Sequence, residues 1–156
     1  MDAIRDFEDM LELLEKHKAR YLIIGGLAFI YHAKPRFTKD MDLWVDPAGE
    51  NRRRVNQALE EFGSPILLES GDPDQIVQIG LAPNRIDVLV KIESVRFATA
   101  WKNRIRDRYG DVLTNWMDLD SLIRAKRDID NPRHQEDVRV LRQVKQQRRR
   151  RRSRRA

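Results

Sequence analysis

Apolar residues recur every three or four positions in three stretches of the chain, with charged residues between them. This spacing predicts amphipathic helices, each with one side available for a core. The first helix is expected to end near Lys18, the second to stop at Gly63 and the third to begin near Gln135. Their apolar positions are Ile4, Phe7, Leu11 and Leu14, then Val55, Ala58, Leu59 and Phe62, and finally Val138, Leu141 and Val144.

Shorter apolar runs predict β-strands. Three further helices are expected over 27–32, over 95–102 and after the capping residue Asp118. A chain of 156 residues suits one compact domain. We expect an α+β fold: a mixed sheet with antiparallel strands, helices packed beside it and a helical C-terminal portion. The predicted strands are 21–24, 40–45, 66–68, 76–79, 86–90 and 111–114.

Two carboxylates interrupt one of these strands. Asp40 and Asp42 are two positions apart, so in a strand both side chains point to the same face. Met41, Leu43 and Val45 then turn inward. Two anions held this close repel each other, and a cation between them removes the repulsion. The pair therefore predicts a divalent-metal site, with two solvated acids at a strand edge as the alternative.

A third acid stands in the apolar strand over 86–90. Asp87 is costly to bury there unless it is paired, hydrogen-bonded or bound to a metal. Arg85 and Lys91 are candidate partners, but their positions along the strand make neither convincing. We therefore expect Asp87 to share the cation of Asp40 and Asp42.

Gly25 and Gly26 follow directly on the apolar run 21–24 and precede a helix. This order predicts a strand, a glycine turn and a helix. Glycines at such a turn let backbone N–H groups approach a bound phosphate, and the helix N-terminus behind them carries partial positive charge. A simple tight turn is the alternative.

The loop that follows brings three polar side chains to the paired acids. Pro35 blocks continuation of the preceding helix, and Arg36, Thr38 and Lys39 then lie just ahead of Asp40. Their side chains are suited to binding phosphate oxygens or to holding the carboxylates in place. The alternative for each is a solvated loop residue.

The net charge of +6 comes from the C-terminal end of the chain. Seven of the 31 basic residues are arginines within 148–156, and the other 24 nearly balance the 25 acidic residues. Such a segment can bind nucleic acid by neutralising phosphates, although a solvated C-terminus is the alternative. No aromatic residue lies among the arginines, so base stacking is not expected from them. They are Arg148, Arg149, Arg150, Arg151, Arg152, Arg154 and Arg155.

The chain carries no sign of a membrane or export signal. No apolar stretch approaches the ~20 residues of a membrane span. The N-terminus lacks the basic-then-apolar order of a signal peptide, and there is no cysteine. We therefore expect a cytoplasmic protein that does not contact a membrane.

The order of these motifs resembles the DNA polymerase β-like nucleotidyltransferase superfamily. Within it, the sequence is most similar to small bacterial and archaeal proteins related to abortive-infection and toxin–antitoxin nucleotidyltransferases. The resemblance covers roughly residues 18–144. It rests on a strand followed by Gly25-Gly26, on Arg36-x-Thr38-x-Asp40-x-Asp42, and on Asp87 inside a later strand.

A second group of residues looks like the lysine-and-aspartate motif that follows the catalytic sheet in those toxins. Lys126 and Asp137 flank a break at Pro132, and their spacing alone predicts two surface residues. The sequence departs from the superfamily at Leu27, where a serine is common, so phosphate binding would rely on backbone amides and cations. The motif comprises Leu122, Ile123 and Lys126, then Arg133, Asp137 and Leu141.

The resemblance implies a Mg²⁺-dependent enzyme, with Mn²⁺ as the alternative ion, that moves a nucleoside monophosphate from an NTP to an acceptor hydroxyl. Asp40 and Asp42 would hold both metal ions, and Asp87 only the ion at the acceptor. The fourth predicted catalytic residue is Lys126, which, like Arg36, could stabilise the leaving pyrophosphate. Residues 1–147 would form a single polymerase-β-like nucleotidyltransferase domain and 148–156 an arginine-rich tail. The predicted nucleotide-binding residues are Gly25, Gly26, Arg36, Thr38, Lys39 and Asp137.

The acceptor stays open at this point. An RNA, in particular a tRNA 3′ end, fits the arginine tail and the toxin-like resemblance, whereas a protein hydroxyl or an aminoglycoside needs no such tail. A cognate antitoxin or toxin protein is a further expected partner. One alternative function is an antitoxin-like partner-binding module that is either non-catalytic or protein-modifying (AMPylating). The presence of all three acids argues against the non-catalytic form. Another is nucleic-acid binding by the tail alone, with the acids serving structure.

Overall fold

The computed structural model describes residues 3–155; Met1, Asp2 and Ala156, the last residue of the predicted tail, lie outside it. Helices and strands are mixed along the chain, as the apolar patterns predict. In order they are α1 (Ala3–Lys16), β1 (Tyr21–Ile24), α2 (Gly25–His32), β2 (Asp40–Val45), α3 (Gly49–Phe62), β3 (Ile76–Ile79), β4 (Arg85–Leu89), α4 (Phe97–Lys102), β5 (Ile105–Tyr109), β6 (Val112–Trp116), α5 (Leu119–Arg127) and α6 (Pro132–Arg155).

The strands form one six-stranded sheet in the order β3-β4-β2-β1-β6-β5. The β2–β4 and β1–β6 pairs are parallel, and the other neighbours are antiparallel. The predicted α+β fold with a mixed sheet is therefore confirmed. Asp42 pairs with Ile24 on one side and with Asp87 on the other. This register places two of the three candidate acids side by side.

Each face of the sheet has its own apolar core. Met41, Leu43 and Val45 belong to the core that α1 and α3 cover, as predicted. Trp44, on the other face of β2, belongs to the core shared with α2, α5 and α6. Because side chains alternate along a strand, Asp40 and Asp42 lie on the same face as Trp44. The acids therefore face the helices of the second core.

The structure differs from the sequence prediction at both edges of the sheet. The run 66–68 is not a strand, because the side chain of Asn56 binds the backbone N–H of Leu68 at 2.8 Å and its C=O at 3.0 Å in place of a neighbouring strand. Conversely, β5 was not predicted. Its central residues, 106–108, are charged and exposed at the sheet edge, so the strand has no apolar run.

Within residues 3–155, the structure contains no helix that is both long and apolar enough to cross a membrane.

Candidate active site

Three carboxylates meet on one face of the sheet. Asp40 and Asp42 come from β2 and Asp87 from the adjacent β4, and one oxygen of each lies within 4.8 Å of the others. Burial, followed by the negative charges of Asp40 and Asp87, raises the pKa of Asp42 to about 7. Burial also raises the pKa of Asp87. The three acids together therefore hold more negative charge than their surroundings accommodate easily.

Arg85 lies between two of the acids. Its Nη2 donates to Asp40 Oδ2 at 2.6 Å, and its Nε lies 3.2 Å from Asp87 Oδ1. The interpretation that Arg85 is an unconvincing partner for Asp87 is wrong, because residues two apart on a strand share a face. One guanidinium still balances only one of three carboxylates.

The residues present fit a divalent cation. The donor set consists of hard carboxylate oxygens, which Mg²⁺ and Mn²⁺ prefer. One of these oxygens, Asp87 Oδ1, is buried, and apart from its ion pair with Arg85 Nε at 3.2 Å it accepts no hydrogen bond within the described chain. A divalent ion would supply both the missing charge and a further partner for this atom.

The two glycines allow α2 to start directly against the acids. Gly25 has φ +64°, and a Cβ at this position would collide with Oδ2 of Asp42. A Cβ on Gly26 would lie 2.8 Å from Oγ1 of Thr38. No separate glycine turn exists, because both residues already belong to the first turn of α2. No side chain caps this helix at Ile24, so its first N–H groups are available to a phosphate.

The loop before β2 closes over these glycines. Thr38 Oγ1 donates to the backbone O of Asp40 at 3.2 Å, and the Arg36 guanidinium lies 4.1 Å from the ring centroid of Phe29. The loop, the two glycines and two of the acids, Asp40 and Asp42, line one cavity of about 350 Å³, whereas Asp87 lies beside these acids but not in the lining. Its lining residues are Gly25, Gly26, Arg36, Phe37, Thr38, Lys39, Asp40, Asp42, Lys126, Arg133, His134 and Asp137.

Lys126 and Asp137 form a buried ion pair at this cavity. Each is only 4% exposed, and Lys126 Nζ donates to Asp137 Oδ2 at 3.0 Å. Arg36 donates to the other oxygen, Oδ1, at 2.6 Å. The prediction from spacing that both are surface residues is wrong, because α5 and α6 pack together and bury the facing side chains.

Asp137 holds the two cations in place. Burial by itself would raise its pKa, but the hydrogen bonds from Arg36 and Lys126 outweigh burial and lower the pKa. Asp137 is therefore a carboxylate at neutral pH. It orients Arg36 and Lys126, which form a positively charged wall of the cavity that Asp40 and Asp42 also line.

Three cavity residues, Phe37, Arg133 and His134, were missing from the predicted site, although Arg133 belongs to the lysine-and-aspartate motif. His134 lies at the start of α6, with Nδ1 3.4 Å from Lys126 Nζ. Burial lowers the pKa of His134, so its ring is neutral at pH 7. Its position three residues before Asp137 puts both on one helix face, a spacing that could have identified it. Phe37 has no such signal.

A larger cavity, of about 1130 Å³, lies away from the acids. It is a groove between α1, the end of α3 and the turn from β3 to β4. It contains none of the predicted site residues. Since α1 and α3 cover the opposite face of the sheet, this groove and the acids are on different sides of the molecule.

The predicted arginine tail continues a helix. α6 runs unbroken from Pro132 to Arg155 and includes all seven arginines. Arg148 Nη2 lies 3.3 Å from Nδ1 of His32, at the C-terminal end of α2. With 1.5 Å rise per residue, the arginines begin about 16 Å along the helix from Asp137 and end about 27 Å from it. They are therefore separate from the cavity but fixed relative to it.

The acids predict how the stability of the metal-free protein depends on pH. Because the folded-state pKa of Asp42 lies near 7 and its unfolded value near 4, its contribution is most favourable below about pH 4 and is lost as the pH rises to 7. The free energy of unfolding should therefore fall by about 2 kcal/mol less in Asp42→Asn than in the wild type over this pH rise. Thermal unfolding with chelator, compared between wild type and variant from pH 5 to 8, measures it.

Adding Mg²⁺ at pH 8 should raise the melting temperature of the wild type more than that of Asp42→Asn, because only the wild type offers all three carboxylates. If the melting temperatures of the two proteins changed with pH in parallel, the expected repulsion between Asp42 and the other two acids would be contradicted.

The family model described as "Nucleotidyltransferase of unknown function (DUF6036)" matches residues 3–145. Among solved structures, the chain is similar to a crystal structure of ANT(2″)-Ia in complex with adenylyl-2″-tobramycin, with a TM-score of 0.61 and 20% identity. The alignment covers 98% of each chain. At this identity the likeness shows a shared fold. No match was found among curated proteins.

Proposed function

We propose that this chain, which belongs to the nucleotidyltransferase family whose model it matches, moves a nucleoside monophosphate from an NTP to the hydroxyl of an RNA, with Mg²⁺ as its metal. The observation that best supports this reaction is that three carboxylates lie close together beside the uncapped N-terminus of α2. Acids suited to a cation and amides suited to phosphate thus share one cavity.

The three acids are assigned to the metal. Asp40, Asp42 and Asp87 would hold the Mg²⁺ ions, with Mn²⁺ as the alternative. When bound, these ions neutralise charge on the phosphates and make the acceptor hydroxyl a better nucleophile. Arg85, paired with Asp40 and Asp87, keeps two of the carboxylates in position.

The nucleotide is assigned to the rest of the cavity. Backbone N–H groups of Gly25 and Gly26, with Thr38 and Lys39 beside them, bind the β- and γ-phosphates. The acceptor oxygen bonds to the α-phosphorus and loses its proton to solvent, while the bond to the leaving pyrophosphate breaks. The positive wall that Asp137 orients, Lys126 together with Arg36, stabilises the charge that this pyrophosphate gains.

The arginine end of α6 supports RNA as the acceptor. Its seven arginines are exposed and, at 100° per residue, point to all sides of the helix. Such a helix attracts a polyanion. Its distance of about 16 to 27 Å from Asp137 equals about five to eight phosphates at the spacing of about 3.4 Å along one strand of DNA. An RNA with its 3′ hydroxyl at the acids, as at a tRNA end, is long enough to reach both.

A second candidate acceptor is a small molecule. The neighbouring structure contains adenylyl-2″-tobramycin, and transfer to such a hydroxyl, or to a protein hydroxyl, does not need the arginines. The resemblance to toxin–antitoxin enzymes supports a cognate antitoxin or toxin protein as a further partner. It also supports a cytoplasmic setting, where NTPs and RNA are both present.

Labelled NTPs identify nucleotide and acceptor together. Each α-³²P-NTP is incubated with the protein, Mg²⁺, total RNA, tobramycin and a protein lysate, and the label is followed. We expect label in RNA. Label in tobramycin or protein but never in RNA would overturn the RNA acceptor, and no Mg²⁺-dependent binding of any NTP would overturn the proposed reaction.

Changing all seven arginines of 148–155 to glutamine tests their role while keeping the helix length. We expect RNA labelling to fall at least about tenfold, with a shallower dependence of RNA affinity on salt. The matched control is Arg139→Gln, an exposed arginine of the same helix that pairs with Glu136. Equal RNA affinity and salt slope in the two variants would show that the arginines do not bind RNA.

A further inference from the structure

Phe37 is an exposed ring in the wall of the active-site cavity. Seven large apolar side chains of residues 3–155 are exposed, and Phe37, at 72%, is the aromatic one among them. Other rings are engaged, as Phe97 is with Trp44 and Trp101, whereas Phe37 has no ring contact within the described chain. It is the one large apolar group in a cavity otherwise lined by glycines and polar or charged side chains.

The residues on either side of Phe37 are fixed by the site. Arg36 is held by Asp137 at 2.6 Å, and Thr38 is held by the backbone of Asp40 and lies against Gly26. Both are half-buried, whereas Phe37 between them is exposed. The ring is therefore held at the mouth of the cavity, within one residue of the groups assigned to the phosphates.

An NTP has one flat apolar part, its base. The charged floor of the cavity suits the triphosphate and the metal, and two of its other planar groups, His134 and Arg36, already contact Lys126 and Asp137. We propose that Phe37 stacks on the nucleobase of the NTP and forms the base subsite of this cavity, an inference that rests on the proposed function. Since every base has a π-face, the subsite binds all four NTPs with modest preferences.

The test compares a ligand with a base and a ligand without one. Calorimetry measures binding of ATP and of inorganic tripolyphosphate, each with Mg²⁺, to wild type, Phe37→Ala and Phe37→Trp. Phe37→Ala should weaken ATP binding about tenfold or more and leave tripolyphosphate binding within about twofold. Phe37→Trp should restore ATP binding. In turnover, Phe37→Ala should raise the KM for ATP more than it lowers kcat.

Leu81→Ala is the matched control, because Leu81 is 84% exposed but lies in the groove on the other face of the sheet. It should bind both ligands as the wild type does. Equal ATP affinity in Phe37→Ala and wild type would overturn the base subsite, as would equal weakening of ATP and tripolyphosphate, or a change confined to the KM of the acceptor. A wild type that binds neither ligand would instead overturn the proposed function.

Discussion

Replacing Asp42 by asparagine is expected to lower nucleotidyl transfer by about 10³-fold or more while the protein stays folded. Asparagine has the same shape but no charge, so the metal site loses one of its three carboxylates. The initial rate of label transfer at saturating Mg²⁺ measures the effect. Stability should not fall, because the carboxylate is disfavoured in the metal-free protein, where its pKa is raised to about 7.

Asp9→Asn provides the control for this loss. Asp9 is exposed on α1, which covers the opposite face of the sheet, so removing its charge should leave the rate within about twofold. If Asp42→Asn transferred nucleotide as fast as Asp9→Asn, the assignment of Asp42 to the metal would be wrong.

Gly25→Ala is expected to have the second largest effect. The new methyl group would occupy the space of Asp42 Oδ2, and the backbone at φ +64° is unfavourable for alanine. We expect a loss of about 10²-fold in transfer rate, because a metal ligand and the first turn of α2 must both move. We also expect about 2 kcal/mol of lost stability. Steady-state kinetics and urea unfolding measure the two effects.

Gly63→Ala separates the two causes of that loss. Gly63 caps α3 with φ +94°, but no atom of residues 3–155 lies within 4 Å of a Cβ placed there. Alanine at this position has the unfavourable positive φ but collides with no neighbouring atom. The stability should therefore fall, whereas the transfer rate should not. Similar rates for the two alanine variants would mean that the space beside Asp42 is not needed for activity.

The chemistry-bearing part of the site could be predicted from local patterns. The alternation of Asp40 and Asp42 with apolar residues, and the isolated Asp87, indicate acids on one face of a buried sheet. Gly25 and Gly26 after a strand indicate a close approach of backbone. Each signal depends only on near neighbours in the chain, and the structure brings all five residues together.

The partners of these residues could not be predicted in the same way. Lys126 and Asp137 look like surface residues, because burial of an ion pair depends on how two helices pack. Arg85 looks like a poor partner for Asp87 until the register of β2 and β4 brings Asp40 beside it as well. Phe37 carries no sequence signal, since its exposure follows from the anchoring of its two neighbours.

The sequence by itself indicated the family, through an order of motifs that resembles known nucleotidyltransferases. It also predicted the mixed α+β character and the groups suited to a metal and a phosphate, because these follow from residue type and short spacing. Only the tertiary structure decided how the charges are balanced. In the structure, Arg85 is the arginine paired with the cluster of three acids. Lys126 and Asp137 form a buried ion pair, and α6 continues through the arginines to Arg155. Charge balance and burial depend on strand register and helix packing, which join residues far apart in the chain.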